Sequence, residues 1–143
     1  MLADVLICGP SDSGKTTLVG QLVAGKAVET YTSMVENSFP WQVEGRPDIR
    51  LVDVPGSERV RVGLIDQFSP SARALLYVVD SNTVGRQVRD VAEFLHSVLA
   101  SPAVAANRPP LLVFCNKQDG SLAKGALAIQ ALLEKEIEKV GTP

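Results

Sequence analysis

The sequence predicts a doubly wound α/β sheet, mostly parallel, with one antiparallel edge hairpin. Three observations carry that reading. Short apolar runs at Leu2–Cys8, Ala74–Asp80 and Leu111–Asn116 each stop abruptly at turn or polar residues. Segments with helical spacing of apolar residues fall between and after them. The chain has 143 residues and a mass of 15.2 kDa, the size of one domain. A domain of that size buries roughly 68–70% of its unfolded surface, enough for a core without staples.

Leu2–Cys8 (LADVLIC) runs straight into Gly9-Pro10-Ser11, so it reads as a buried strand closing in a turn. Lys15–Ala24 places Leu18, Val19, Leu22 and Val23 on one helical stripe, with Gly25 as its stop. Thr30–Ser38 has no period and reads as a loop. Phe39–Glu44 and Asp48–Val54 are extended segments around Gly45-Arg46-Pro47, a hairpin pattern. Arg59–Phe68 suits a short, irregular helix. Ala74–Asp80 and Leu111–Asn116 are continuous apolar runs, the pattern of parallel strands covered on both faces. Between them, Val88, Val91, Leu95, Val98 and Leu99 give one face to a helix over Gly85–Ala100, with Pro102 and Pro109-Pro110 beyond its end. Ile129, Leu132, Leu133, Ile137 and Val140 form a last amphipathic helix, stopped by Gly141. The order β-α-β-β-α-β-α-β-α puts helices on both faces of the sheet.

Composition removes several function classes. Fourteen basic and sixteen acidic side chains give a net charge of −2, without the basic excess that a nucleic-acid surface needs. Hydrophobic residues make up 45% of the chain and charged ones 21%, which excludes a disordered polypeptide. The mean hydropathy is +0.14. The longest apolar stretch, Ala74–Val79, falls far short of the ~20 residues of a membrane span. Asp4 breaks the N-terminal apolar run, so no signal peptide is expected. Cys8 and Cys115 sit inside apolar runs and read as buried free thiols of a reducing compartment. His96 has no Cys/His cluster around it and reads as bland, and Glu134–Lys139 reads as a solvated helix face.

Gly9-Pro10-Ser11-Asp12-Ser13-Gly14-Lys15-Thr16 matches G-x-x-x-x-G-K-[ST], between a predicted strand and a predicted helix. Gly9 and Gly14 let the backbone curl so that successive N–H groups face inward, a nest for phosphate oxygens. The helix start adds its dipole, Lys15 reaches the β- and γ-phosphates, and the Thr16 hydroxyl faces Mg²⁺. Gly9, Asp12, Ser13, Gly14, Lys15, Thr16 and Thr17 are therefore the candidate phosphate-binding residues. Asp53-Val54-Pro55-Gly56 ends the third strand, where Asp53 can hold Mg²⁺ and the Gly56 N–H can meet a γ-phosphate. Asn116-Lys117-Gln118-Asp119 closes the fifth strand. The acceptor-only carboxylate of Asp119 matches the paired N1–H and N2–H donors of guanine, which adenine lacks. Asn116 can tie this loop to the phosphate loop while the Lys117 stem covers the base. The motifs select GTP and GDP over ATP.

GPSDSGKTTL, YTSM, DVPGSERVR and FCNKQD, in that order over nearly the whole chain, resemble the P-loop small-GTPase fold. Within it they resemble the family of signal recognition particle receptor beta subunits, which are Arf-related. The serine-rich phosphate loop, D-x-P-G and the LLEKEIEK helix over Ala123–Lys139 carry that finer likeness. The resemblance implies a GTP-dependent switch that binds the N-terminal domain of the receptor alpha subunit. Such a switch acts on the cytosolic face of the endoplasmic reticulum membrane, reaching the ribosome–nascent chain complex only indirectly and the membrane through a segment outside this chain. It implies no direct contact with nucleic acid. It also assigns Thr32 to the Mg²⁺ shell, with Thr30 and Ser33 as rivals, and puts Met34, Val35 and Trp41 in or beside the same switch. Two departures stand out. Ser57 follows Gly56 where many GTPases carry a water-orienting glutamine, which implies slow intrinsic hydrolysis. Ser11 stands where many relatives have glycine, in a position to crowd an inserted arginine finger. The family's further C-terminal strand and helix do not follow Pro143, so residues 1–143 read as a G domain incomplete at that end. The alternative reading is an Arf- or Sar-type GTPase of vesicle traffic. A non-cycling module that has lost its nucleotide is a third.

Overall fold

A computed structural model of the chain describes residues 3–10, 13–23, 38–43, 46–56 and 58–140. Five strands and five helices follow one another: β1 (Ala3–Cys8), α1 (Lys15–Val23), β2 (Ser38–Val43), β3 (Arg46–Asp53), α2 (Glu58–Phe68), β4 (Ala72–Asp80), α3 (Val88–Leu99), α4 (Pro102–Asn107), β5 (Leu111–Asn116) and α5 (Ala126–Val140). The strands form one sheet in the order β2-β3-β1-β4-β5. β3, β1, β4 and β5 are parallel, and β2 runs antiparallel against β3 with Phe39 opposite Leu51.

That order explains where a site can form. From β1 the chain goes one way to β3 and later the other way to β4. The switch point therefore lies at the C-terminal end of β1, where an open α/β sheet has its crevice. The inner strands are covered on both sides, with successive residues alternating between the two faces. On one face Leu6, Cys8, Val52, Tyr77 and Val79 pack with residues of α2, α3 and α5. On the other Ile7, Leu51 and Val78 pack with Leu18 and Val19 of α1. The Tyr77 hydroxyl, buried with its ring, donates to the Val91 carbonyl at 2.7 Å. Asp4, fully buried in β1, accepts from Arg50 of β3 at 2.7 and 3.0 Å and from the Ser71 hydroxyl, so the residue that interrupts the first apolar run is charge-paired.

Several expectations change. Arg46 and Pro47 belong to β3 rather than to a turn. Among the described residues the pairing of β3 with β1 begins at Ile49, past Pro47, while its pairing with β2 reaches back to Arg46. The segment after Gly56 is a regular helix, α2. α3 starts at Val88 because residues 81–87 form turns anchored on Asp80. α4, with Pro102 in its first turn, lies where the prolines had marked only a helix end. The largest departure is β5. Leu112 is 61% exposed and Phe114 37%, so this run is not covered on both faces by the described residues. It is one of the two edge strands, with β2 the other, while β1, β3 and β4 lie inside the sheet. Cys8 is buried, whereas Cys115, on that edge, is only half-buried.

Candidate functional site

Gly9 leaves β1 so close to β4 that a Cβ there would stand 2.5 Å from the Val78 carbonyl oxygen. Only glycine passes. Ser13 N donates to the Pro10 carbonyl at 3.1 Å, and Leu18 N to the Gly14 carbonyl at 3.0 Å, which begins α1 directly behind the loop. Gly14 has φ +86°, the left-handed region that glycine enters without penalty. Lys15 is buried at the first turn of α1, and its ammonium donates to the Asp53 carboxylate from β3. Asp53 is brought there by the parallel β1–β3 pairing, which Val54 N extends by donating to the Ile7 carbonyl at 2.9 Å. The Ser13 hydroxyl is buried with no hydrogen-bond partner among the described residues.

The second loop follows β5. Asn116 Nδ2 donates to the Ser13 carbonyl at 3.0 Å, joining residues 103 positions apart. Lys117 takes φ +63°, and its stem runs past Gly14. Its ammonium donates to Asp80 Oδ2 at 3.1 Å. Gly14, Thr17, Leu18 and Gln21 on one side and Asn116–Asp119 on the other line a cavity of about 430 Å³, with Asp119 exposed at its rim. The structure thus brings together Ser13, Gly14, Lys15, Thr17, Asp53, Asn116, Lys117 and Asp119, with Gly9 behind the loop. Gly56 shares a second cavity with Pro10 and Ser13. Asp12, Thr32 and its rivals, Ser11, Ser57, Met34 and Val35 lie outside the described residues, as do the side chains of Thr16 and Trp41.

Sequence reading missed the clamp beneath the second loop. Asp80 Oδ1 accepts from Asn82 N at 2.8 Å. Asn82 Nδ2 donates to the Lys117 carbonyl at 2.9 Å, and Asn82 Oδ1 accepts from Leu122 N at 3.2 Å. Gln118 Nε2 donates to Ser81 Oγ and to the Lys124 carbonyl, both at 2.8 Å. Burial pushes the Asp80 carboxyl up, but hydrogen bonds from Asn82 and the Lys117 ammonium outweigh it and hold the group below the ordinary carboxylate range. The available signal was position. Asp80-Ser81-Asn82 is polar and sits at the C-terminal end of a strand, the site end of such a sheet.

A glycine-flanked loop leading into a helix N-terminus, a buried lysine, a carboxylate on the adjacent strand and a polar loop facing an open cavity define a P-loop protein of the small-GTPase class. Residues 2–142 match the family model described as "Signal recognition particle receptor beta subunit". The chain belongs to that family. It is 45% identical over 135 residues to the "Signal recognition particle receptor subunit beta" of Mus musculus, covering 93% of this chain and 50% of the relative. The chain thus spans about half the length of that relative. Its fold superposes on the structure of the mammalian SRP receptor with TM-score 0.80 at 44% identity, covering 96% of this chain and 74% of that one. It also superposes on the SRb-GTP/SRX complex from Chaetomium thermophilum, with TM-score 0.74 at 21% identity, covering 98% and 80%.

Proposed function

We propose that this chain is the GTP-switched G domain of a signal recognition particle receptor beta subunit. In its GTP state it binds the N-terminal domain of the receptor alpha subunit during co-translational targeting at the cytosolic face of the endoplasmic reticulum membrane. The observation that carries the reading is the Asn116–Ser13 bond, which sets a base-reading loop against a phosphate loop. The residues suit a guanine nucleotide with Mg²⁺: the orphaned Ser13 hydroxyl, the α1 N-terminus and Lys15 offer donors, and Asp53 offers a hard oxygen. Phosphate charge falls to the Gly9, Asp12, Ser13, Gly14, Lys15, Thr16 and Thr17 segment. Mg²⁺ falls to Thr16, Thr32 and Asp53, where it would neutralise phosphate charge. Asp119 selects guanine, with Lys117 leaving Asp80 to lie along the base. The Gly56 N–H and Thr32 respond to a γ-phosphate, and a switch moves only as far as these differential contacts drive it. Ser57 is too short to orient water as a glutamine does, so hydrolysis is slow and the GTP state long-lived.

The family relative observed as a GTP/SRX complex supports the partner assignment. The test is capture of the alpha subunit's N-terminal domain by this chain loaded with GDP or a non-hydrolysable GTP analogue. Capture only in the analogue state is expected. It should be weakened by Thr32→Ala and nearly unchanged by Ser57→Gln. Equal capture in both states defeats the switch, and capture in neither favours the Arf- or Sar-type traffic reading.

A further inference from the structure

Arg61 of α2 is buried away from water, only 8% exposed. Three groups meet it instead. Nη1 donates to the Gly56 carbonyl at 3.3 Å, and Nη2 donates to Ser97 Oγ of α3 at 3.3 Å. Its Cζ lies over the Phe94 ring, 4.1 Å from the centroid, well inside cation–π range. Ser97 Oγ in turn donates to the Phe94 carbonyl at 2.7 Å, so the acceptor is itself held on α3.

We propose that Arg61 is a positioning residue that ties Gly56 to α3 and thereby sets the preference of the site for a nucleoside triphosphate over a diphosphate. This rests on the nucleotide-site reading above. Gly56, Pro10 and Ser13 line one cavity of about 300 Å³ with Asp90, Val91 and Phe94 of α3, so Gly56 faces the same space as the candidate phosphate-binding residues. A buried cation strengthens such a bond because the alternative is a donor left unmet in a poorly solvated place. Holding the Gly56 carbonyl on the α3 side removes freedom from the one backbone N–H that a γ-phosphate needs and a β-phosphate does not. Arg61 therefore favours the triphosphate state selectively. It also gives that state a route to α3, since Gly56 cannot shift without disturbing the contacts to Ser97 and Phe94.

Calorimetry with GDP and with a non-hydrolysable GTP analogue tests this on the chain and on Arg61→Met, Arg61→Lys and Ser97→Ala, with a thermal melt of each. Arg61→Met should weaken analogue binding about tenfold, or about 1.4 kcal/mol, while GDP binding changes less than about twofold. Arg61→Lys keeps the charge but cannot span both acceptors, so it should recover only part of the loss. Ser97→Ala removes an exposed hydroxyl, should melt like the unaltered chain and should weaken analogue binding about threefold. An unchanged analogue-to-GDP ratio in all variants overturns the inference, and so do equal losses for both nucleotides. If Arg61→Met does not fold, the Ser97→Ala ratio decides. A chain that binds neither nucleotide overturns the nucleotide-site reading and this inference with it. Binding with an unchanged ratio overturns this inference alone.

Discussion

Gly14→Ala should loosen the joint between the two loops, and its cost can be worked out from geometry. Gly14 has φ +86°, where an L-residue loses about 1–2 kcal/mol relative to its normal region. The new Cβ would stand 2.5 Å from Asn116 Nδ2 and 3.2 Å from Lys117 Cε. Asn116 must then move by the better part of an ångström, which breaks its 3.0 Å bond to the Ser13 carbonyl. A neutral hydrogen bond is worth about 0.5–1.5 kcal/mol net. The sum is about 1.5–3.5 kcal/mol, below the ~5–15 kcal/mol total of an ordinary domain, so the variant should fold. Urea unfolding followed by circular dichroism measures it, in the original chain and with Asn116→Ala. With Asn116 truncated, Gly14→Ala should cost only the backbone part, leaving a coupling of about 1 kcal/mol. Equal costs in the two backgrounds would refute the claim that Gly14 exists to admit Asn116, and a neutral Gly14→Ala would refute the strained-loop geometry altogether.

Asp119→Asn should shift preference from GTP toward XTP, because an amide donor then faces the position where xanthine carries a carbonyl; competition binding that still favours GTP would dismiss the base-reading role. Lys15→Ala should abolish GTP binding in a folded protein. It leaves Asp53 without its cationic partner, at about 2 kcal/mol, and calorimetry showing undiminished affinity would dismiss the phosphate-loop role. Asp80 is held below its ordinary pKa of 3.8, so its contribution is complete above that value and is lost as pH falls through the lower folded value. Asp80→Asn should therefore be less stable than the original chain at neutral pH, with the gap closing in strong acid; a gap constant with pH would show that the Lys117 and Asn82 contacts do not favour the carboxylate.

The strands, the helical stripes and the phosphate, D-x-x-G and N-K-x-D segments were legible because each is written in contiguous residues. An apolar run, a 3.6-residue stripe or a glycine spacing needs no knowledge of what packs against it. What brings those segments together depends on partners far away in the chain, and no local pattern contains it. Asn116 finds Ser13 across 103 positions, and Lys15 finds Asp53 across 38, because β1 pairs with both β3 and β4. The Arg61 contact to Ser97 of α3 was not legible, since arginine in a helix is ordinarily a solvated charge, and the Asp80–Asn82 clamp was marked only by its place at a strand end. Burial removes water as a partner and leaves Arg61 to the Gly56 carbonyl and the Ser97 hydroxyl. β5 makes the point in reverse. Its unbroken apolar run reads like that of β4, yet Tyr77 of β4 is 1% exposed and Leu112 of β5 is 61% exposed. Sequence periodicity records which residues favour leaving water, whereas position in the sheet settles which of them find something to leave it for.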